Sequence, residues 1–224
     1  MAEQTLQILE RSVVIPPVNL QGDLVAPFDA WGVALFAHGS GSSRHSSRNR
    51  YVAGILQQSR MATLLLDLLT EREEEADRDT GEWRFDIRLL AGRLSQAIDW
   101  LSQERETQGL PVGLFGASTG GAAALVTAAQ RREVAAVVSR GGRPDLAGEA
   151  LQKVTAPTLL IVGALDQPVI ELNELARREM RAKTRVEIVP GASHLFEEPG
   201  KLHIVARLAA EWFQRHMPHS TLNR

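Results

Sequence analysis

The sequence predicts a doubly wound α/β domain with about eight strands, and three observations carry that expectation. Short, almost wholly apolar runs recur along the chain, as suits strands buried on both faces of a parallel sheet. Helical patterns alternate with them, and the runs stop at polar, glycine-rich segments that carry chemistry-bearing side chains.

Residues 6–15 and 20–26 read as two extended segments parted by Pro16-Pro17, the second stopping at Pro27, because proline interrupts strand pairing. Residues 32–37 form an apolar run that stops at His38-Gly39-Ser40-Gly41, and residues 62–66 form one that stops at Asp67. Runs at 112–115, 134–138, 157–162 and 185–189 complete the set. Between them, helical patterns cover residues 48–59, 85–106, 120–131, 170–180 and 199–216. The charge run within 70–81 reads as a solvated loop. About seventeen residues separate Ser139 from Pro157, which leaves no room for a large cap domain and predicts a shallow, open site. Residues 1–216 are expected to form one domain and residues 217–224 a flexible tail.

Composition narrows the function. A chain of 224 residues, 44% hydrophobic and 23% charged, can build a complete core. A net charge of -2 argues against a general nucleic-acid or anionic-membrane binder. Without cysteine there is no disulfide, thiolate nucleophile or Cys-ligated metal. Met1-Ala2-Glu3-Gln4-Thr5 lacks the basic and apolar regions of a signal peptide, and no apolar run reaches membrane-spanning length, so a cytoplasmic protein is expected.

Open α/β sheets bind ligands at the carboxyl ends of their strands, which sets His38, Asp67, Ser118, Arg140, Asp166 and His194 along one rim. Gly116-Ala117-Ser118-Thr119-Gly120 follows an apolar run and opens a small-residue helix. In this G-x-S-x-G pattern a sharp turn exposes the serine hydroxyl and leaves the next N–H free for an oxyanion. Ser118 would also serve as an ordinary helix N-cap; the flanking glycines, with an acid and then a histidine later in the chain, favour a nucleophile. His194 is the expected base and Asp166 the acid that orients it, with Asp145 the rival acid and otherwise a helix N-cap. The N–H groups of Ser40 and Thr119 are the expected oxyanion donors, and His38 would orient the loop. His45 is a weaker candidate base, while His203, His216 and His219 are expected to face solvent. Arg44, Arg140 and Arg143, with Arg48 and Arg50 nearby, are candidates for binding an anionic substrate group.

The ordered set His38-Gly39, Gly116-Ala117-Ser118-Thr119-Gly120, Asp166 and Ser193-His194 resembles the α/β-hydrolase superfamily. It looks most like the small, capless dienelactone-hydrolase-like branch. That resemblance implies a mostly parallel eight-stranded sheet with an antiparallel second strand and hydrolysis through an acyl-enzyme. Dienelactone hydrolases proper use cysteine at the turn, whereas Ser118 stands here, so a serine carboxylesterase fits better than a lactonase. The stretch 67–74 and the arginine-rich rim also look like bacterial hydrolases sometimes joined to a phosphoribosyltransferase-like domain. The expected function is hydrolysis of small ester or thioester substrates, without metal or organic cofactor. Acyl transfer or peptide hydrolysis by the same residues, or ligand binding with little turnover, are the alternatives.

Overall fold

Runs such as Gly32–Ala37 and Val112–Ala117 have no polar face to offer water, and they lie fully buried at the centre of the sheet. The computed structural model describes residues 7–218. Its eight strands are β1 (Ile8–Ile15), β2 (Leu20–Pro27), β3 (Gly32–Ala37), β4 (Met61–Leu66), β5 (Val112–Ala117), β6 (Val134–Arg140), β7 (Thr158–Gly163) and β8 (Thr184–Val189). They are ordered β1-β2-β4-β3-β5-β6-β7-β8. β2 runs antiparallel to both β1 and β4, and every pair from β4 onward is parallel.

The described residues form six helices, α1 (Ser47–Gln58), α2 (Glu71–Thr80), α3 (Ile87–Gln103), α4 (Thr119–Gln130), α5 (Gln167–Glu179) and α6 (Lys201–His216), of which all but α2 pack on the sheet. Alternation along the strands divides their side chains between two cores. Leu35, Leu64, Leu114 and Val137 pack with α3 and α4. Phe36, Phe115, Val138 and Ile161 pack with α1 and α6 on the other face. No large cap interrupts the alternation; β6 and β7 are joined through a kinked 3-10 segment, Pro144–Lys153. No helix among the described residues is long and apolar enough to cross a membrane.

Two expectations need correction. The charged stretch expected to be a loop is helix α2, because its ends are well capped. Thr70 Oγ1 accepts from Glu73 N–H while the Glu73 carboxylate accepts from Thr70 N–H, and Gly81 closes the helix at φ 68°. Met217, placed in the tail by the sequence, is 3% exposed because it packs into the α1/α6 core. The rest of that tail from residue 219 onward, including His219, lies outside the described residues.

Candidate active site

Ser118 follows β5 directly, with φ 51° and ψ -121°, a backbone conformation that costs a non-glycine residue energy. Its N–H donates to the Arg140 carbonyl (3.2 Å), and its own carbonyl accepts from Gly121 and Arg143 N–H (3.0 and 3.2 Å). The turn is therefore held from both sides. It can form only because glycines flank it. A Cβ on Gly116 would lie 2.5 Å from the Gly120 carbonyl oxygen, and one on Gly120 would overlap the carbonyls of Ala37 and His38. Although Ser118 holds the N-cap position of α4, its hydroxyl makes no capping bond.

His194 and Asp166 come together from separate loops. His194 Nδ1 lies 2.6 Å from Asp166 Oδ2, with the carboxylate side chain 15% and the imidazole 39% exposed. Asp166 heads α5 but, like Ser118, makes no side-chain capping bond, which leaves its carboxylate to the imidazole. The His194 loop is tied down on both flanks. Ser193 N–H donates to Glu198 at 3.1 Å, and bonds from Ser193 hold the Glu198 carboxyl below the usual range. Phe196 accepts φ 59° and is 1% exposed in the core. A Cβ on Gly141, the residue after Arg140, would lie 3.5 Å from His194 Nδ1 and Cε1. The imidazole thus sits within a residue of the strand end that holds the Ser118 turn. Ser118 Oγ itself makes no hydrogen bond to His194 among the described residues; such bonds are commonly long in unliganded sites.

The segment His38-Gly39-Ser40 lies against the turn. A Cβ on Gly39 would be 3.0 Å from Ser118 Cβ, so glycine is what permits that approach. His38 is buried and bridges two loops: Nδ1 lies 2.9 Å from the Gly39 carbonyl, and Nε2 accepts from Leu68 N–H at 3.0 Å. Both ring nitrogens are engaged in these contacts. Ser40 N–H, the expected oxyanion donor, is engaged with Thr119 Oγ1 at 2.9 Å. Thr119 N–H opens α4 without an acceptor among the described residues. A cleft of about 440 Å3 adjoins both residues and is also lined by Glu74, Asp77 and Arg78 of α2. Helix α2, read from the sequence as a loop, forms one side of this cleft, whose lining includes neither Ser118 nor His194 nor Asp166.

The rim arginines divide. Arg143 is paired with Asp145 at 2.7 Å, so Asp145 is neither a helix N-cap nor a partner of His194. Arg44 is paired with Asp67 and, at 3.7 Å, with Asp23. Arg50 bonds Asp23 and His45. Arg140 is 7% exposed: Nη2 approaches Asn49 Oδ1 at 3.4 Å, while among the described residues it pairs with no carboxylate and Nε and Nη1 have no partner. Of the remaining histidines, His203 faces Tyr51 at 3.3 Å and His216 packs against Trp212 with ring centroids 4.2 Å apart and planes tilted by 50°. Among the described residues no group of His, Asp or Glu is placed to hold a metal ion.

A mostly parallel α/β sheet, helices on both faces and a glycine-flanked serine turn at a central strand end define an α/β-hydrolase. The chain belongs to the Dienelactone hydrolase family, whose model matches residues 54–218. It is 60% identical to a dienelactone hydrolase from Anabaena variabilis, with a TM-score of 0.91 over 95% of this chain and 99% of that one. Est1E from Butyrivibrio proteoclasticus shares the fold at 16% identity and a TM-score of 0.75, over 91% and 98% of the two chains. A Mycobacterium tuberculosis protein named "Putative phosphoribosyl transferase" is 54% identical over 217 residues, which are 96% of this chain and 48% of that protein. The chain therefore spans about half the length of the curated relatives it matches.

Proposed function

We propose that this hydrolase is a serine esterase that cleaves small ester or thioester substrates through an acyl-enzyme. Ser118 attacks the acyl carbon while His194 takes its proton; Asp166 holds the imidazole tautomer and stabilises the imidazolium. The collapsing tetrahedral intermediate releases the alcohol or thiol, protonated by His194, and water activated by the same imidazole then frees the acid. Thr119 N–H, at the positive end of α4, meets the oxyanion. Ser40 N–H supplies the second bond, with its loop positioned by Thr119 Oγ1. The observation that carries this reading is the 2.6 Å His194–Asp166 contact beside the strained Ser118 turn.

The test is labelling with a fluorophosphonate probe, with mass mapping of the adduct, beside hydrolysis of 4-nitrophenyl butyrate. Wild type should be labelled on Ser118 alone. Ser118→Ala should lose labelling and at least about 10^4-fold in kcat with its fold intact. Retained turnover in that variant would refute the assignment.

A further inference from the structure

The buried face of α5 carries one polar side chain. Val169 and Ala176 are 7% and 2% exposed, and between them Asn173 is 0% exposed. Asparagine suits a helix interior poorly, because its amide competes with the backbone, and a stripe facing a core calls for an apolar residue there. Asn173 Nδ2 donates to the Val169 carbonyl at 2.7 Å, one turn back in the same helix, and to the Gly142 carbonyl at 3.1 Å, outside it. Both partners only accept, which fixes the orientation of the amide. Oδ1 is buried without a partner among the described residues, a cost that an apolar side chain would avoid. The Val169 carbonyl already serves the helix ladder. What requires the amide is therefore the carbonyl of Gly142, itself a buried residue.

Gly142 is the middle residue of Gly141-Gly142-Arg143, which joins β6 to the 3-10 segment. Each neighbour touches one half of the site. Gly141 N–H donates to the Ile161 carbonyl at 2.8 Å and its Cα faces the His194 ring, while Arg143 N–H donates to the Ser118 carbonyl at 3.2 Å. The loop has no slack on its other side: a Cβ on Gly142 would lie 1.9 Å from Ser139 Oγ, and one on Gly121 2.6 Å from the same atom. Asp166 heads the helix that carries Asn173, about two turns away. We propose that Asn173 is a positioning residue: by holding the Gly142 carbonyl to α5, it sets the distance between the Ser118 turn and the His194–Asp166 pair. One helix then carries the acid at its start and clamps the loop that lies between base and nucleophile. Proton transfer from Ser118 to His194 needs hydrogen-bond reach, so it depends on where that loop is held. The effect on turnover rests on the esterase reading; the tether itself rests on the bonds of Asn173.

Asn173→Leu keeps the size of the side chain and removes both donors. With 4-nitrophenyl butyrate its kcat should fall about 10- to 100-fold while KM stays within about twofold, as for a small displacement of reacting groups. Fluorophosphonate labelling of Ser118 should slow by a similar factor. Ala176→Gly weakens the same face of α5 without touching a bond to the loop, and it should keep the wild-type kcat. Should Asn173→Leu not fold, Asn173→Ser takes its place, since the shorter hydroxyl can return to the Val169 carbonyl but cannot reach Gly142. Wild-type kcat in the Asn173 variant, or an equal loss in Ala176→Gly, would overturn the proposal. If wild-type Ser118 takes no label, the esterase reading fails instead, and the tether is read from amide hydrogen exchange. Arg143 N–H should then exchange at least about tenfold faster in the Asn173 variant than in Ala176→Gly, the loss of one hydrogen bond; equal rates reject the tether.

Discussion

At the scale of single residues, the site is assembled from side chains that decline their ordinary local duties. Ser118 and Asp166 both occupy helix N-cap positions, where their oxygens would normally accept backbone N–H groups. Neither does, which leaves both side chains free for partners distant in sequence. Thr119 does the reverse: its hydroxyl accepts from Ser40 N–H across 79 residues of chain. That bond fixes where the loop of the proposed oxyanion donor Ser40 stands. Thr119→Val keeps the shape and removes the acceptor, so kcat should fall about five- to tenfold, the value of one hydrogen bond, with KM little changed. Thr119→Ser should restore the rate. A Val variant with wild-type kcat would show that the loop needs no such tether. The bond was not legible in the sequence, because motif spacing says nothing about which hydroxyl meets which amide across the sheet. Nor could the sequence tell which rim arginine lacks a carboxylate, since Arg140 differs from Arg143 only in what tertiary packing places beside it.

Among the elements, legibility tracks burial. Every central strand is an apolar run because both its faces are covered, so the β3 to β7 order of events along the chain could be read directly. Helix α2 escaped because it has almost no apolar face: Asp77 is its one buried residue. Its signature was instead the capping box at Thr70 and Glu73. Burial alone would raise the Asp77 carboxyl, but Arg84 and the N–H groups of Trp83 and Arg84 outweigh it and hold the group ionised, tying α2 to the following turn. Glycines separate positions that set element spacing from positions that do not. A Cβ on Gly163, at the end of β7, would overlap the Ala192 carbonyl and lie 2.5 Å from that of Ser193. Gly163→Ala should therefore push the His194 loop outward and, with His194 as the proposed base, cost about 10^2-fold in kcat. Gly92, inside α3, has nothing within 4 Å of its added Cβ. Gly92→Ala should raise stability by about 1 kcal/mol and leave kcat unchanged. Kinetics and denaturant melts on the two variants check the contrast, and equal effects would refute it.

Across the whole molecule, the site joins loops that come after β3, β4, β5, β6, β7 and β8, so its integrity depends on how those strand ends are cross-linked. His38 is one such link, between the β3 and β4 loops, and it works only when neutral. Because Nε2 accepts from Leu68 N–H, the ring proton belongs on Nδ1, facing the Gly39 carbonyl. A second proton would abolish the Leu68 bond. Burial lowers the His38 pKa below 6.5, although the Gly39 carbonyl, Asp67 and Glu74 pull the other way. The unfolded chain therefore binds this proton more readily than the folded one. Stability from His38 is present in full above pH 6.5 and is lost as pH falls from 6.5 toward the depressed folded value, by at most about 1.4 kcal/mol per pH unit. His216 has a lowered pKa as well and adds a slope of the same sign. The lowered carboxyls of Asp77, Glu133 and Glu198 act in a more acidic window, since their unfolded values lie near 4. His38→Gln retains an acceptor for Leu68 N–H and removes the titration. Urea unfolding at pH 7.5 and 5.5 should show wild type losing more stability than this variant over that interval, with His216 cancelling in the comparison. Equal losses would mean that His38 accepts its second proton without cost, and that the bridge between the two loops is not what holds the oxyanion segment in place.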